Sequence, residues 1–80
     1  MRIKFTQASR KHRIGKARVL FVMENYSPSL LEGNLDYTER YVWIGKDDRG
    51  LELEVVALIL EEYLLITHVM PTDLRKGKRK

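Results

Sequence analysis

The stretch RYVWIGKDDRGLELEVVALILEEYLLITHVM, residues 40–70, decides how this chain folds. Its first part, RYVWIG, is aromatic and β-branched, the composition that fits a pleated, half-buried surface. KDDRG then reads as a tight turn in which Gly50 takes the positive φ that closes a bulged hairpin loop. LELEVVALIL alternates at first, with Leu51, Leu53 and Val55 on one side and Glu52 and Glu54 on the other, and then becomes continuously apolar. Such a strand is expected to start half exposed and finish buried. Glu61 and Glu62 turn the chain, and YLLITHVM forms a last strand that Pro71 stops. Three strands joined by short turns make an antiparallel meander.

Upstream, RIKF alternates basic and apolar residues, with Ile3 and Phe5 on one face, as an edge strand would. Thr6 and Ser9 can each cap a helical start, so a first helix is expected from SRKH to Ile14, with Gly15 as the break. KARVLFVMENY spaces Ala17, Leu20 and Phe21 on one helical face and adds Val19, Val22 and Met23 on others, which predicts a helix covered on more than one side. SPSLLEGNLDY, with Pro28, Gly33 and Asn34, reads as a long connection. After Pro71, PTDLR gives a helical turn. The chain is thus expected to be one α+β domain over residues 1–75 with a basic tail at 76–80. Its sheet is small and antiparallel, an N-terminal strand plus the C-terminal meander, with one or two N-terminal helices packed on one face.

Eighty residues lie near the lower limit for a self-sufficient core, so a partner or an oligomer would add stability. The absence of Cys excludes disulfides, thiolate zinc sites and a cysteine nucleophile. VLFVM and VVALIL are far too short to span a membrane, and the first residues lack a signal peptide's apolar core, so a soluble cytoplasmic protein is expected. Neither a metal nor a cofactor is called for by any motif.

Charge is unevenly spread. Residues 1–20 carry seven Arg or Lys and no acid, residues 21–62 three against ten acids, and residues 63–80 five against one. Basic ends that converge on one face would hold a polyanion through its phosphates, and the simpler alternative is a solvated surface. ASRKHRIGKAR, residues 8–18, concentrates the candidates Arg10, Lys11, Arg13 and Lys16; Arg75 and Lys76 add cations at the other end.

The two histidines are His12, in the basic cluster, and His68, which strand parity sets on the side of Leu64, Ile66 and Met70. There it is either a paired core histidine or a general acid or base in a cleft. Metal-free RNA cleavage needs a group to take the 2′-hydroxyl proton and a cation to hold the phosphorane charge, and any of Arg40, Arg10, Lys11 and Arg13 could supply that cation. Glu52 and Glu54 are either bases or charges that keep a strand soluble, and Tyr41 and Trp43 either core or base-stacking platforms.

Three fragments, RKHRIGKARV, ERYVWIGKDDRGLELEVVAL and LLITHVMPTDLR, together resemble the BrnT-like branch of the RelE/ParE toxin superfamily. Lys11 and His12 match a KHG-like segment, with Arg13 where that segment often has glycine; Glu39, Arg40, Ile44 and Gly45 match an ER…IG strand. ITHVMP stands in place of a closing ISAR-like motif. The resemblance implies a RelE-like fold and the toxin component of a type II toxin–antitoxin system. Such a toxin is a metal-independent endoribonuclease that cleaves mRNA and arrests translation, and its antitoxin covers the basic face. On that reading His68, Arg40 and His12 are catalytic and the basic residues hold RNA. The alternatives are a non-catalytic nucleic-acid-binding module and an interaction domain that pairs through its edge strand.

Overall fold

A computed structural model describes residues 2–31 and 39–76 and, of the last two of these, only the backbone. The strands are β1 (Arg2–Phe5), β2 (Ser29–Leu31), β3 (Arg40–Lys46), β4 (Glu52–Ile59) and β5 (Tyr63–Pro71); the helices are α1 (Lys16–Asn25) and α2 (Thr72–Lys76). They form an α+β domain around one five-stranded sheet of order β1-β5-β4-β3-β2. No helix among the described residues is long and apolar enough to cross a membrane.

The meander forms where residues 40–70 place it, and Gly50 closes its first turn at φ 85°. Asp47 organises that turn. Its carboxylate accepts the N–H of Arg49 at 2.8 Å and of Leu51 at 3.0 Å, and Arg18 of α1 donates to it at 2.7 Å. Burial alone would push the Asp47 carboxyl up, but the two backbone donors and the Arg18 guanidinium outweigh it and hold it below the ordinary 3.8.

Three expectations need correction. The sheet is mixed, because β1 runs parallel to β5, pairing Ile3 with Leu64 and Phe5 with Ile66. The stretch read as a connection contains β2, which pairs antiparallel with β3 and forms one edge of the sheet; the rest of that stretch, residues 32–38, lies outside the described residues. The first helix is only a 3₁₀ turn, Ala8–Arg10, in which Ser9 donates its N–H to Thr6 Oγ1 at 3.1 Å. It ends at Arg10, well before Gly15, and Arg13 beyond it has a left-handed φ of 58° that is incompatible with a continuing helix. Helices therefore flank the sheet's strands from both ends of the chain, since α2 follows β5.

The inner face of the sheet holds the core. Trp43, Leu53, Val55, Ala57, Leu64, Ile66 and Val69 point there and meet Val19 and Val22 of α1, all of them buried. Tyr41 and Trp43 pack edge to face at 5.5 Å within this layer, so they are core aromatics. Gly45 is required by packing, because a Cβ there would collide with the Tyr26 ring.

The outer face contradicts the expectation that LELEVVALIL finishes buried. Alternation continues to Ala57, while Val56 and Leu58 on the outer face stay half-buried, and Ile59 packs half-buried against the core. A second correction concerns β5. Val56 pairs with His68 but Ala57 pairs with Ile66, so Thr67 is an extra residue, a β-bulge, and inward positions shift from Leu64 and Ile66 to Val69. His68 consequently sits beside Val56 on the outer face, opposite to Leu64 and Ile66.

Candidate nucleic-acid interface

β1 is a short edge strand, and its free edge meets the 3₁₀ turn and the start of α1. Between them lies an open groove of about 580 Å³ lined by Ile3, Lys4, Phe5, Arg10, Lys16 and Leu20. Local chemistry explains how it forms. The alternation of RIKF sends Phe5 onto the core and Lys4 to the other side of the strand. Ser9 then donates twice to Thr6, its N–H to Thr6 Oγ1 at 3.1 Å and its hydroxyl to Thr6 O at 2.6 Å, which folds the chain back over the sheet and presents Arg10. Arg13 turns the chain again, and α1 starts with Lys16, whose Nζ lies 5.3 Å from the Phe5 ring centroid.

Three cationic side chains thus share one groove, and none makes an ion pair with a carboxylate among the described residues. Like charges held together without counter-charge attract an anion, and the apolar walls of Phe5 and Leu20 offer a surface on which a base can lie. Arg10 and Lys16 were expected here. Lys11 and Arg13 are exposed in the same loop but do not line the groove. Lys4 was missed by sequence reasoning, although the basic–apolar alternation of RIKF is the signal that carries it. The side chains of Arg75 and Lys76 lie outside the described residues.

Of the residues expected to be catalytic, Arg40 and His68 are not brought together. His12 stands in the loop between buried Ser9 and Ile14, which packs on the core, and makes no hydrogen bond or ion pair among the described residues. His68 is on the outer face with Nε2 3.4 Å from Glu54 Oε1, its side chain 40% exposed. Arg40 is on the same face two strands away, opposite Leu58 where His68 is opposite Val56, so about 12 Å separates the two along the sheet surface at ordinary strand spacing. Its Nε, like Trp43 Nε1, is buried without a hydrogen-bond partner among the described residues.

Family models, curated proteins and solved structures gave no significant match.

The site is therefore read from its own geometry. The two carboxylates of β4 are engaged: Glu52 accepts the Thr72 hydroxyl at 2.6 Å, and Glu54 faces His68. Lys4 Nζ lies 4.4 Å from the centroid of the Tyr63 ring, so the cation at the groove's lip also reaches the outer face. A chain laid in the groove and led over the edge of β1 would pass Lys4 and Tyr63 next.

Proposed function

We propose that this chain is a small RNA-binding domain that seats single-stranded RNA in the groove at the free edge of β1. The observation that carries the reading is the convergence of Lys4, Arg10 and Lys16, without carboxylate partners among the described residues, around the apolar walls of Phe5 and Leu20. Cations would neutralise successive phosphates while a base lies against the walls, a mode that tolerates sequence and depends on salt.

The test is fluorescence anisotropy of a labelled single-stranded RNA with wild type, Arg10→Ala, Lys16→Ala and, as control, Arg49→Ala in the exposed turn at the far end of the sheet. The groove variants should each bind several-fold more weakly and the control as wild type. Equal loss in all four would reduce the reading to general charge.

A second reading is the one the resemblance implies, a RelE-like toxin that cleaves mRNA without a metal and is covered by an antitoxin. The observation in its favour is the His68–Glu54 pair, an imidazole with a carboxylate to orient it, on an accessible sheet face within reach of a chain crossing Lys4. The left-handed Arg13, at the place where the KHG-like segment often has glycine, is in keeping with it. On this reading His68 takes or gives the proton and Lys4 holds the phosphate; Arg40 and His12 stand apart from it. Cleavage of end-labelled RNA in excess EDTA by wild type, and its loss in His68→Ala, is the expected result, whereas undiminished cleavage in His68→Ala rejects this assignment.

A further inference from the structure

The walls of the groove at the free edge of β1 are joined at one end by the chain itself. β1 supplies one wall through Ile3 and Phe5, the start of α1 supplies the other through Lys16 and Leu20, and residues 6–15, which carry Arg10, connect the two. The connecting segment is pinned to the sheet. Thr6 donates its N–H to Ile66 O at 3.0 Å, and Ser9, 2% exposed, is bonded back to Thr6. A polymer that enters over Lys4 therefore meets Arg10 with the pinned chain behind it. A recess of this shape takes the end of a polymer, because an internal segment must leave as well as enter.

Size and charge agree with an end. About 580 Å³ is the room of one small-molecule site, enough for one nucleotide with the phosphates on either side of it. Inside an RNA chain both of those phosphates are diesters and together bring a charge of about −2. At a chain end the outer one is a monoester, which alone carries about −1.5 to −2 at pH 7, so the same nucleotide brings about −3. Lys4, Arg10 and Lys16 set three positive charges against it, and the first turn of α1 holds no acid to offset them. A planar guanidinium engages phosphate oxygens in pairs, which makes Arg10 the contact for the monoester; Lys4, at the lip, meets the diester that follows.

We infer that the groove is a receptor for the terminal phosphomonoester of an RNA chain. The inference rests on the RNA-binding reading above and names the part of the RNA that the site takes. The terminal nucleotide lies against Phe5 and Leu20, its monoester is held by Arg10 and Lys16, and the rest of the chain leaves over Lys4 and Tyr63. A 5′-end and a 3′-end can each carry such a group, and the two differ in the direction in which the chain leaves.

Competition for the full chain tests this. An internally labelled single-stranded RNA is displaced, with anisotropy as the readout, by unlabelled RNAs of one sequence that carry a 5′-phosphate, a 3′-phosphate, hydroxyls at both ends, or either phosphate as its methyl ester. One of the two monoester forms should bind about tenfold more tightly than the dihydroxyl form, the size of one added charge-assisted contact, and it identifies the end. Methylation removes the second charge of that phosphate and should remove most of the gain. Arg10→Ala, with an unchanged far-UV circular dichroism spectrum, should bind the monoester and dihydroxyl forms alike, whereas Arg49→Ala should keep the gain. Equal affinity of wild type for all forms, or a gain left intact by Arg10→Ala, overturns the inference and leaves RNA binding in place. Failure of every form to bind rejects the RNA-binding reading itself, so the two failures are distinguishable.

Discussion

The two faces of the sheet are built from the same strands and have different tasks. Leu65 and Ile66 are neighbours in β5; Ile66 is fully buried in the core, and Leu65 points to the other side and stays half-buried. Inner positions follow strict alternation and close against Val19 and Val22. Outer positions mix apolar residues with two acids, an imidazole and basic corners. The difference teaches that the inner face accounts for folding, whereas the outer face keeps its apolar residues half-buried with no described element lying across them.

The sharpest way to break this comparison is to truncate the two neighbours. Ile66→Ala should lower the unfolding free energy by about 2–5 kcal/mol, the range for a buried large-to-small change. Leu65→Ala should cost only about 1 kcal/mol, because a half-exposed side chain buries less apolar area. Equal costs in denaturant titrations would mean that the faces do not differ.

Next in size is the link between helix and hairpin. Asp47→Asn weakens a buried ion pair and two backbone acceptor contacts, and a loss of about 2–3 kcal/mol is expected. The pH dependence has a definite sign. The folded carboxyl titrates below its ordinary 3.8, so its contribution is fully present above that value and is lost as pH falls through the lower folded pKa. Thermal melts of the Asn variant should therefore be flatter with pH below about 4 than those of wild type. Parallel acid profiles would show that Asp47 does not set this window.

Smaller again is Arg13→Gly. Relieving a left-handed non-glycine residue should raise stability by about 0.5–1 kcal/mol, partly offset by the greater freedom of glycine in the unfolded chain. A lower melting temperature would mean that the Arg13 side chain contributes more than its backbone costs.

Much of this was legible in residues 40–70. Alternation, the Asp47–Gly50 turn and Pro71 fix the meander, and the spacing of KARVLFVMENY gives α1. What was not legible rests on long-range pairing. Whether RIKF joins the sheet parallel or antiparallel depends on where the chain returns, and SLL is too short to announce β2. Parity misplaced His68 because nothing in LLITHV marks Thr67 as the bulge that shifts the inward positions. For the site, clustered charge pointed to Arg10 and Lys16. The third cation, Lys4, enters only because β1 lies beside the 3₁₀ turn that Thr6 and Ser9 hold.

The most direct test of the central claim is the salt dependence of RNA binding by wild type and Lys16→Ala. Three groove cations predict a slope of log affinity against log salt near −2, about 0.7 for each phosphate neutralised, and a slope shallower by about 0.7 in Lys16→Ala. A wild-type slope near zero, or one unchanged by removal of Lys16, would contradict the groove as the seat of the RNA.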